Sequence, residues 1–442
     1  MVTVEYLSEI KKLVNEEQIR KEENTDHPLG NSGQITIFPK TEEEISALLN
    51  YANTNGLSIS IMGGGSKRGF GGQVKEADIQ LSLIQYSGIV EHIPGDMTLT
   101  VKSGTYFKEI QSYLAQYNQK IPLDPFFLDN ATIGGVIATN DSGPKRLGYG
   151  SARDAVIGLR MVYPDGKVIR SGGRVVKNVA GYDMNKLYIG SMGTLGVISE
   201  VTFKLRPISK YGSITLINFP EGNLEVIRSF AVKVLDSMIE PVSFELLNPT
   251  LAKKLTNKKH YTLLLSFEDV KSSVQYQEDY IKSIAPHQTN LSYLTQKEEM
   301  ESFWKQFYQI HPDGNKGLDN NQTEATLKIG VVNLDIIKIL QESDLIQDLC
   351  NVSIHAHGCL GNGLCQMTIG GASNDVVRAI QLVRERAEKL GGYAVIKHLP
   401  YALRQEVNVW GAKTASHFLF AGIKQKIDPN RILNRNRFVE GI

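Results

Sequence analysis

LDPFFLDNATIGGVIATNDSGPKRLGYGSARDAVIGLRMVYPDGKVIRSGGRVVKNVAGYDMNKLYIGSMGTLGVISEVTFKLRP, residues 123–207, decides how this chain is read. Glycine-broken turns dominate it. Thr132-Ile133-Gly134-Gly135 opens a short apolar segment, Val136 to Ala138, that ends in Asn140 and Gly143. Gly148 and Gly150 flank Tyr149 and lead into Arg153-Asp154. Gly190, Gly193 and Gly196 precede an alternating strand from Val197 to Leu205. Backbone without side chains lets a bulky ligand approach, and runs of free amide N–H groups make concave anion sites. Few acidic residues interrupt these turns. The pattern predicts a long cofactor against main chain, anionic at one point and flat at another.

A second cluster lies upstream, Gly63-Gly64-Gly65-Ser66-Lys67-Arg68-Gly69-Phe70-Gly71-Gly72, after a β-type run from Leu57 to Ile61. Strand, glycine turn, then cation is a phosphate-cradling order. The spacing is not that of the phosphate-binding loop with Gly-Lys-Ser/Thr, and no helical repeat follows as a dinucleotide fingerprint requires. Alone it reads equally well as a glycine-rich hairpin.

Together the two clusters resemble the FAD-linked oxidases of the vanillyl-alcohol-oxidase, or PCMH-type, superfamily. The matching pieces are Gly63 to Lys67, Leu123-Asp124-Pro125, Thr132 to Gly135, Gly143 to Gly150 and Lys177 to Ile198. VVKNVAGYDMNKLYIGSMGTLGVISEV is similar to the 2-hydroxy-acid dehydrogenases of that group. Val407 to Gly411 and Ile423 to Phe438 are similar to the end of the smaller FAD-binding subunit of bacterial glycolate oxidase.

The resemblance implies an α+β fold. A two-subdomain PCMH-type FAD-binding domain would span 29–208, after an N-terminal helix in 1–28. A ferredoxin-like cap or substrate domain with an antiparallel sheet would span 209–400, and a tail in 401–442 would return to the FAD domain. The residues after Pro207 carry the cap reading themselves, because strand and helix patterns alternate there as β-α-β, as in antiparallel sheets with helices on one face.

Composition limits the function. At 442 residues the chain is long enough for two or three domains with large cores. A formal net charge of +1 offers no global field for nucleic acid or an anionic membrane. Cys350, Cys359 and Cys365 make no disulfide framework and no iron–sulfur ligand repeat. The charged N-terminus lacks the apolar core of a signal peptide, and no apolar run is long enough to span a bilayer. The expectation is a cytoplasmic protein, with any membrane link made through partner subunits.

Smaller features are expected as follows. Residues 4–20 form one amphipathic helix. Thr41 caps the next helix, whose stripe is Ile45, Leu48, Leu49 and Ala52. Pro164-Asp165-Gly166 turns a hairpin. The polar stretches 286–300 and 310–323 are surface loops.

The candidate FAD-binding residues are Gly63, Gly64, Gly65, Ser66 and Lys67 for the pyrophosphate. Asp124, Pro125, Thr132, Ile133, Gly134, Gly135, Ala138, Asn140, Gly143, Gly150, Arg153, Asp154, Val197 and Ile198 are the candidates for the flavin. No histidine or cysteine lies between Gly63 and Gly72, where covalently flavinylated relatives carry a histidine, so FAD is expected to bind non-covalently. Ordinary alternatives stand beside these roles: a surface charge pair for Arg153-Asp154, and plain core strand for Val197-Ile198.

His355, His357 and Cys359 alternate along a strand and share a face. Three readings are open: a metal site, a half-buried strand with hydrogen-bonded histidines, or His357 facing the flavin as base or substrate ligand. The larger glycolate-oxidase FAD subunit carries His-Ala-Gly-Asp-Gly-Asn and His-Pro-Pro motifs. This chain has HAHGCLGNG at 355–363, and His311-Pro312-Asp313 does not match. Both departures argue against a metal. Glu245 is a candidate proton acceptor and Arg437 a candidate carboxylate anchor, each weighed against an exposed structural charge. The segment LNRNRF at 433–438 replaces the usual Leu-Asn-Pro-Gly-Arg-Phe, which predicts a looser turn.

The expected activity is oxidation of a small 2-hydroxy acid of the glycolate or D-lactate class to a 2-oxo acid, with hydride passing to flavin N5. The chain would be an FAD subunit working with a second FAD subunit and an iron–sulfur subunit. A stand-alone D-lactate-type dehydrogenase and a non-catalytic FAD-binding relay or assembly subunit are the alternatives.

Overall fold

The computed structural model describes residues 4–21, 27–173, 182–315 and 322–442. Residues 174–181 of the quoted stretch, which hold much of its VVKNVAGYD motif, lie outside them.

The N-terminal half holds two sheets. The first runs in the order Ile19–Lys21, Ser32–Ile37, Glu76–Ser82, Ile59–Met62. Its last three strands are parallel. The helix Glu42–Asn55 lays Ile45, Leu48, Leu49 and Ala52 on this sheet. The Thr41 hydroxyl accepts the Glu44 amide N–H at its start, and Gly56 ends it at φ 67°. The expected helix over 4–20 is shorter: Val4–Leu13 is helical, then Ile19–Lys21 pairs with the first sheet. A strand edge offers the backbone of 19–21 partners that a longer helix would not.

The second sheet is antiparallel, in the order Ile89–Ile93, Thr98–Lys102, Val197–Lys204, Val156–Val162, Val168–Gly172. Between its strands the chain inserts a short helix, Ile133–Thr139, capped by the Thr132 side chain.

The other half is built on one antiparallel sheet of eight strands. Its order is Asn290–Leu294, Tyr211–Phe219, Tyr261–Asp269, Ser243–Leu247, Ser353–Cys359, Leu364–Gly371, Thr323–Gly330, Tyr393–His398. Alternate residues face opposite sides. Phe244, Leu246, Ile354, Ala356, Leu327 and Ile329 pack in the core with helices Leu224–Leu235, Lys271–Ile284, Ile336–Cys350 and Ser373–Lys389. Residues between them face the N-terminal half. Leu247, Leu216 and Leu264 pack there with Phe126 and with Phe303 and Phe307 of the helix Lys297–Phe307. That helix and the strand Asn290–Leu294 occupy a stretch expected to be loop. The segment is polar because it is a sheet edge and a half-exposed helix.

Glu268, on the strand Tyr261–Asp269, joins the two halves. Lys120 and Lys145 reach it at 2.6 and 2.7 Å, and the Tyr149 hydroxyl donates to it. Burial would raise its carboxyl, but the two ammonium groups outweigh burial and hold it at about 2. Burial, together with Lys145 and Arg206 nearby, leaves the Lys120 ammonium below its ordinary value despite Glu268, so the net gain is smaller than the carboxylate alone suggests. A folded value below the ordinary one gives stability that is present above about pH 4.5 and lost as pH falls toward about 2. Glu268→Gln is expected to destabilise the protein at pH 7 by about 2 kcal/mol and to flatten its acid dependence in that window. Urea midpoints at pH 7 and pH 3.5 check both.

The tail returns to the first sheet. Ile432 O accepts from Ile59 N–H at 2.7 Å, and Ile59 O accepts from Asn434 N–H at 2.8 Å. The expected loosening of LNRNRF is not found. Asn434 and Asn436 take φ of 41° and 57°, which asparagine tolerates far better than most residues. Asn434 also accepts from Ile61 N–H and donates to Met192 O.

Behind it, the buried Lys424 ammonium donates to Asp428 at 2.7 Å, and Asp428 accepts from Ile432 and Leu433 N–H at 3.0 Å. Removing one partner of a buried pair strands the other charge. Asp428→Ala is expected to cost about 3–5 kcal/mol, read as a drop in urea midpoint.

Candidate active site

The glycine loop leaves the strand Ile59–Met62 and is braced by arginines. Arg404 donates to the carbonyls of Leu29, Gly71 and Gly72. Arg437 donates to Phe70, Ile61 and Lys67 carbonyls at 3.3–3.4 Å. Arg437 thus braces the loop and lines the cleft beside it, and is not among the residues around His357 and Glu245. From the cap side, Asn315 donates to Gly64 O at 2.6 Å and Gly314 N–H to Ser66 O at 3.0 Å.

Held this way, the loop forms one wall of a long cleft. Ala131, Thr132, Gly134, Gly135 and Ala138 form another wall, and Met192, Gly193, Gly196 and Ile198 a third. The amide N–H groups of Gly63, Gly64, Gly65, Ser66 and Lys67 donate to no protein acceptor among the described residues. A Cβ at Gly64 would overlap the Asn130 carbonyl oxygen, and one at Gly63 the Thr132 hydroxyl. Free amides converging where side chains have no room fit a pyrophosphate. The rest of the cleft, lined by Ala131, Met192 and Ile198, is where the remainder of FAD would lie.

The sequence candidates divide into three groups. Gly63, Gly64, Gly65, Ser66, Lys67, Thr132, Gly134, Gly135, Ala138 and Ile198 line the cleft. Asn140 and Gly143 line a second cavity. Asp124, Pro125, Ile133, Gly150, Arg153, Asp154 and Val197 line neither. Ile133 and Val197 are sealed in the core. Asp154 caps a short helix by accepting from Ser151, and Arg153 donates to Lys186 O. Asp124 is buried and accepts from Gly143 N–H, Lys145 N–H and Tyr308 OH, with burial raising its carboxyl to about 7. It shapes the turn between the cavities.

The second cavity adjoins the cleft, since Thr139 lines both. Cap-sheet strands supply its far wall, with Glu245, His357, Cys359, Gln366, Lys328 and Lys397. His357 Nδ1 lies 2.7 Å from Glu245 Oε2. His357 Nε2 and Asn140 Oδ1 are buried without a hydrogen-bond partner among the described residues, and both residues line this cavity, where a bound molecule could satisfy them. Phe307 and His311 pack on the His357 ring, with centroids 4.9 and 6.2 Å away. His355 does not line the cavity; burial and then Lys254 lower its imidazole to about 4. Cys365 turns into the helix-side core, away from Cys359. No three His, Cys, Asp or Glu groups among the described residues are placed to hold a metal.

Asp141 sits between two lysines, with Lys397 Nζ at 2.8 Å and Lys67 Nζ at 3.2 Å. Burial would raise its carboxyl, yet these cations hold it well below the usual carboxylate range. Arg146 and Lys328 complete the cationic wall. Sequence reasoning names neither of them, nor Asp141, Lys397 or Gln366. One signal was available: Lys328 interrupts Ala325, Leu327 and Ile329 at the alternate position of a buried strand.

Residues 33–172 match the family described as FAD binding domain. The chain is 26% identical over 445 residues to a mitochondrial D-lactate dehydrogenase [cytochrome] of Arabidopsis thaliana, covering 95% of this chain and 76% of that one. It is 27% identical over 413 residues to glycolate oxidase subunit GlcD of Bacillus subtilis, covering 90% and 87%. Against glycolate oxidase subunit GlcE of Escherichia coli it is 36% identical over 160 residues, covering 36% and 45%. In fold it is similar to 4-ethylphenol oxidase from Gulosibacter chungangensis, with a TM-score of 0.76 at 16% identity over 99% of this chain and 97% of that one. No helix among the described residues is long and apolar enough to cross a membrane. With a PCMH-type fold, an FAD-binding domain and a cleft built from main-chain amides, the chain is an FAD-linked oxidoreductase with non-covalently bound FAD.

Proposed function

We propose that this oxidoreductase converts a 2-hydroxy acid to the 2-oxo acid in the cavity beside the FAD cleft. The observation that carries this is the His357–Glu245 pair, whose free Nε2 belongs to a cavity rich in cations. Glu245 accepts the Nδ1 proton, which leaves the Nε2 lone pair to take the hydroxyl proton. Lys397, held by Asp141 and by Gln366 Oε1 at 3.0 Å, receives the substrate carboxylate. Aromatic packing fixes the imidazole plane, so orientation is set before substrate arrives. Bound FAD supplies the two-electron acceptor.

Names of the relatives favour glycolate or D-lactate as the acid, and the two relatives named as glycolate oxidase subunits favour a complex of several subunits. In such a complex a second FAD subunit and an iron–sulfur subunit would carry electrons onward, because the three cysteines here form no cluster repeat. The D-lactate dehydrogenase relative, matched over 95% of this chain, favours a self-sufficient enzyme as the second reading. Anaerobic addition of glycolate or D-lactate to the FAD-loaded chain alone decides whether catalysis lies in this chain. Bleaching of the flavin bands is expected. No bleaching until companion subunits are added makes this chain a relay, and none in the complex either removes the proposed activity.

A further inference from the structure

Three strands of the cap sheet bring one residue each into a row. His357 pairs in register with Gln366, and Gln366 with Lys328. All three line the same cavity. Adjacent strands are about 4.8 Å apart, so the backbone of Lys328 stands about 10 Å from that of His357. Lys397 belongs to the edge strand beyond Lys328 and reaches back to place its ammonium on Gln366.

The charges in the cavity are unevenly matched. Glu245 is taken by His357, and Asp141 by Lys397 and Lys67. Arg146 donates to the Ser142 hydroxyl at 3.1 Å. No carboxylate among the described residues pairs with Arg146 or Lys328. Burying cations without partners is costly, and an anion arriving from solvent relieves it. Burial, then Lys397 and Arg146, lower the Lys328 ammonium to about 8, which shows how closely the cations crowd.

A 2-hydroxy acid carries its carboxylate on the carbon that bears the hydroxyl. With that hydroxyl at His357, the carboxylate is within reach of Lys397, and the wall beyond Gln366 is left unused. We propose that the preferred substrate is a 2-hydroxy acid with a second acidic group several bonds from its hydroxyl-bearing carbon, held by Lys328 and Arg146. The proposal rests on the reading of the cavity as a hydroxy-acid site, and makes these two cations its specificity determinants.

Equilibrium binding to the FAD-loaded chain tests it, read as perturbation of the flavin absorption bands. The ligands are 2-oxoglutarate and 2-oxobutyrate, which are already oxidised and leave the flavin unreduced. The diacid is expected to bind at least about tenfold more tightly, one charged contact's worth. Lys328→Met and Arg146→Gln, each shown by circular dichroism to fold, are expected to bring that ratio close to one. Equal binding of the two acids by the unaltered protein overturns the proposal, as does a ratio that neither variant changes. Anaerobic reduction by 2-hydroxyglutarate and D-lactate keeps the two ideas apart. If D-lactate bleaches the flavin and the diacid has no advantage, only the second acidic group is lost. If neither acid bleaches it, in the chain alone or with its companions, the hydroxy-acid reading itself fails.

Discussion

His357→Gln is expected to slow reduction of bound flavin by a hydroxy acid about a thousandfold, within the usual range for loss of a general base. Glutamine is close in volume and can still donate to Glu245 Oε2, which His357 reaches at 2.7 Å, so the buried carboxylate keeps a partner. What disappears is the basic lone pair at Nε2, which finds no hydrogen-bond partner among the described residues. Single-turnover absorbance traces measure the rate directly. Binding of a 2-oxo acid to the same variant, read by spectral perturbation, should change only severalfold, which a collapsed cavity would not permit. Full reduction rate in this variant would take His357 out of the chemistry.

The second large effect belongs to the cofactor. Gly64→Ala places a methyl group where the Asn130 carbonyl oxygen already sits, and that carbonyl is backbone, with no side-chain freedom to yield. The loop must move, and the free amides from Gly63 to Lys67 move with it. Overpacking of this kind costs about 1–3 kcal/mol, so FAD affinity is expected to fall roughly 10- to 100-fold. Flavin absorbance per chain after gel filtration reports it. Gly95→Ala serves as the control, because a Cβ there meets nothing within 4 Å. Equal flavin content in the two variants would mean that the loop does not cradle the pyrophosphate.

Much of this was legible in the residues because it depends on local chemistry. Main chain freed of side chains is visible as glycine, so Gly63 to Ser66 and Thr132 to Gly135 could be assigned to a cofactor cleft before any fold was known. Period-two alternation placed His357 and Cys359 on one face of a strand, and both line the same cavity. Arg437 was harder, because a tail arginine can brace a loop or meet a substrate and its neighbours in sequence are the same in either case. Two acidic candidates in 124–154 were hard to place for a similar reason. Asp124 and Asp154 carry the right atoms to touch a ligand, but each spends them on backbone amides nearby.

By itself the chain pointed to a cofactor lying against main chain, because that requires only glycine and a strand to deliver it. It also pointed to alternating strands and helices after Pro207, because hydrophobic period reports which faces are buried. Only the tertiary structure showed which side chains share the second cavity. Glu245 and His357 are 112 positions apart. Lys67, Asp141 and Lys397 come from three separate segments. Electrostatic energy depends on distances in space and on the water that burial removes, and neither is written along the chain.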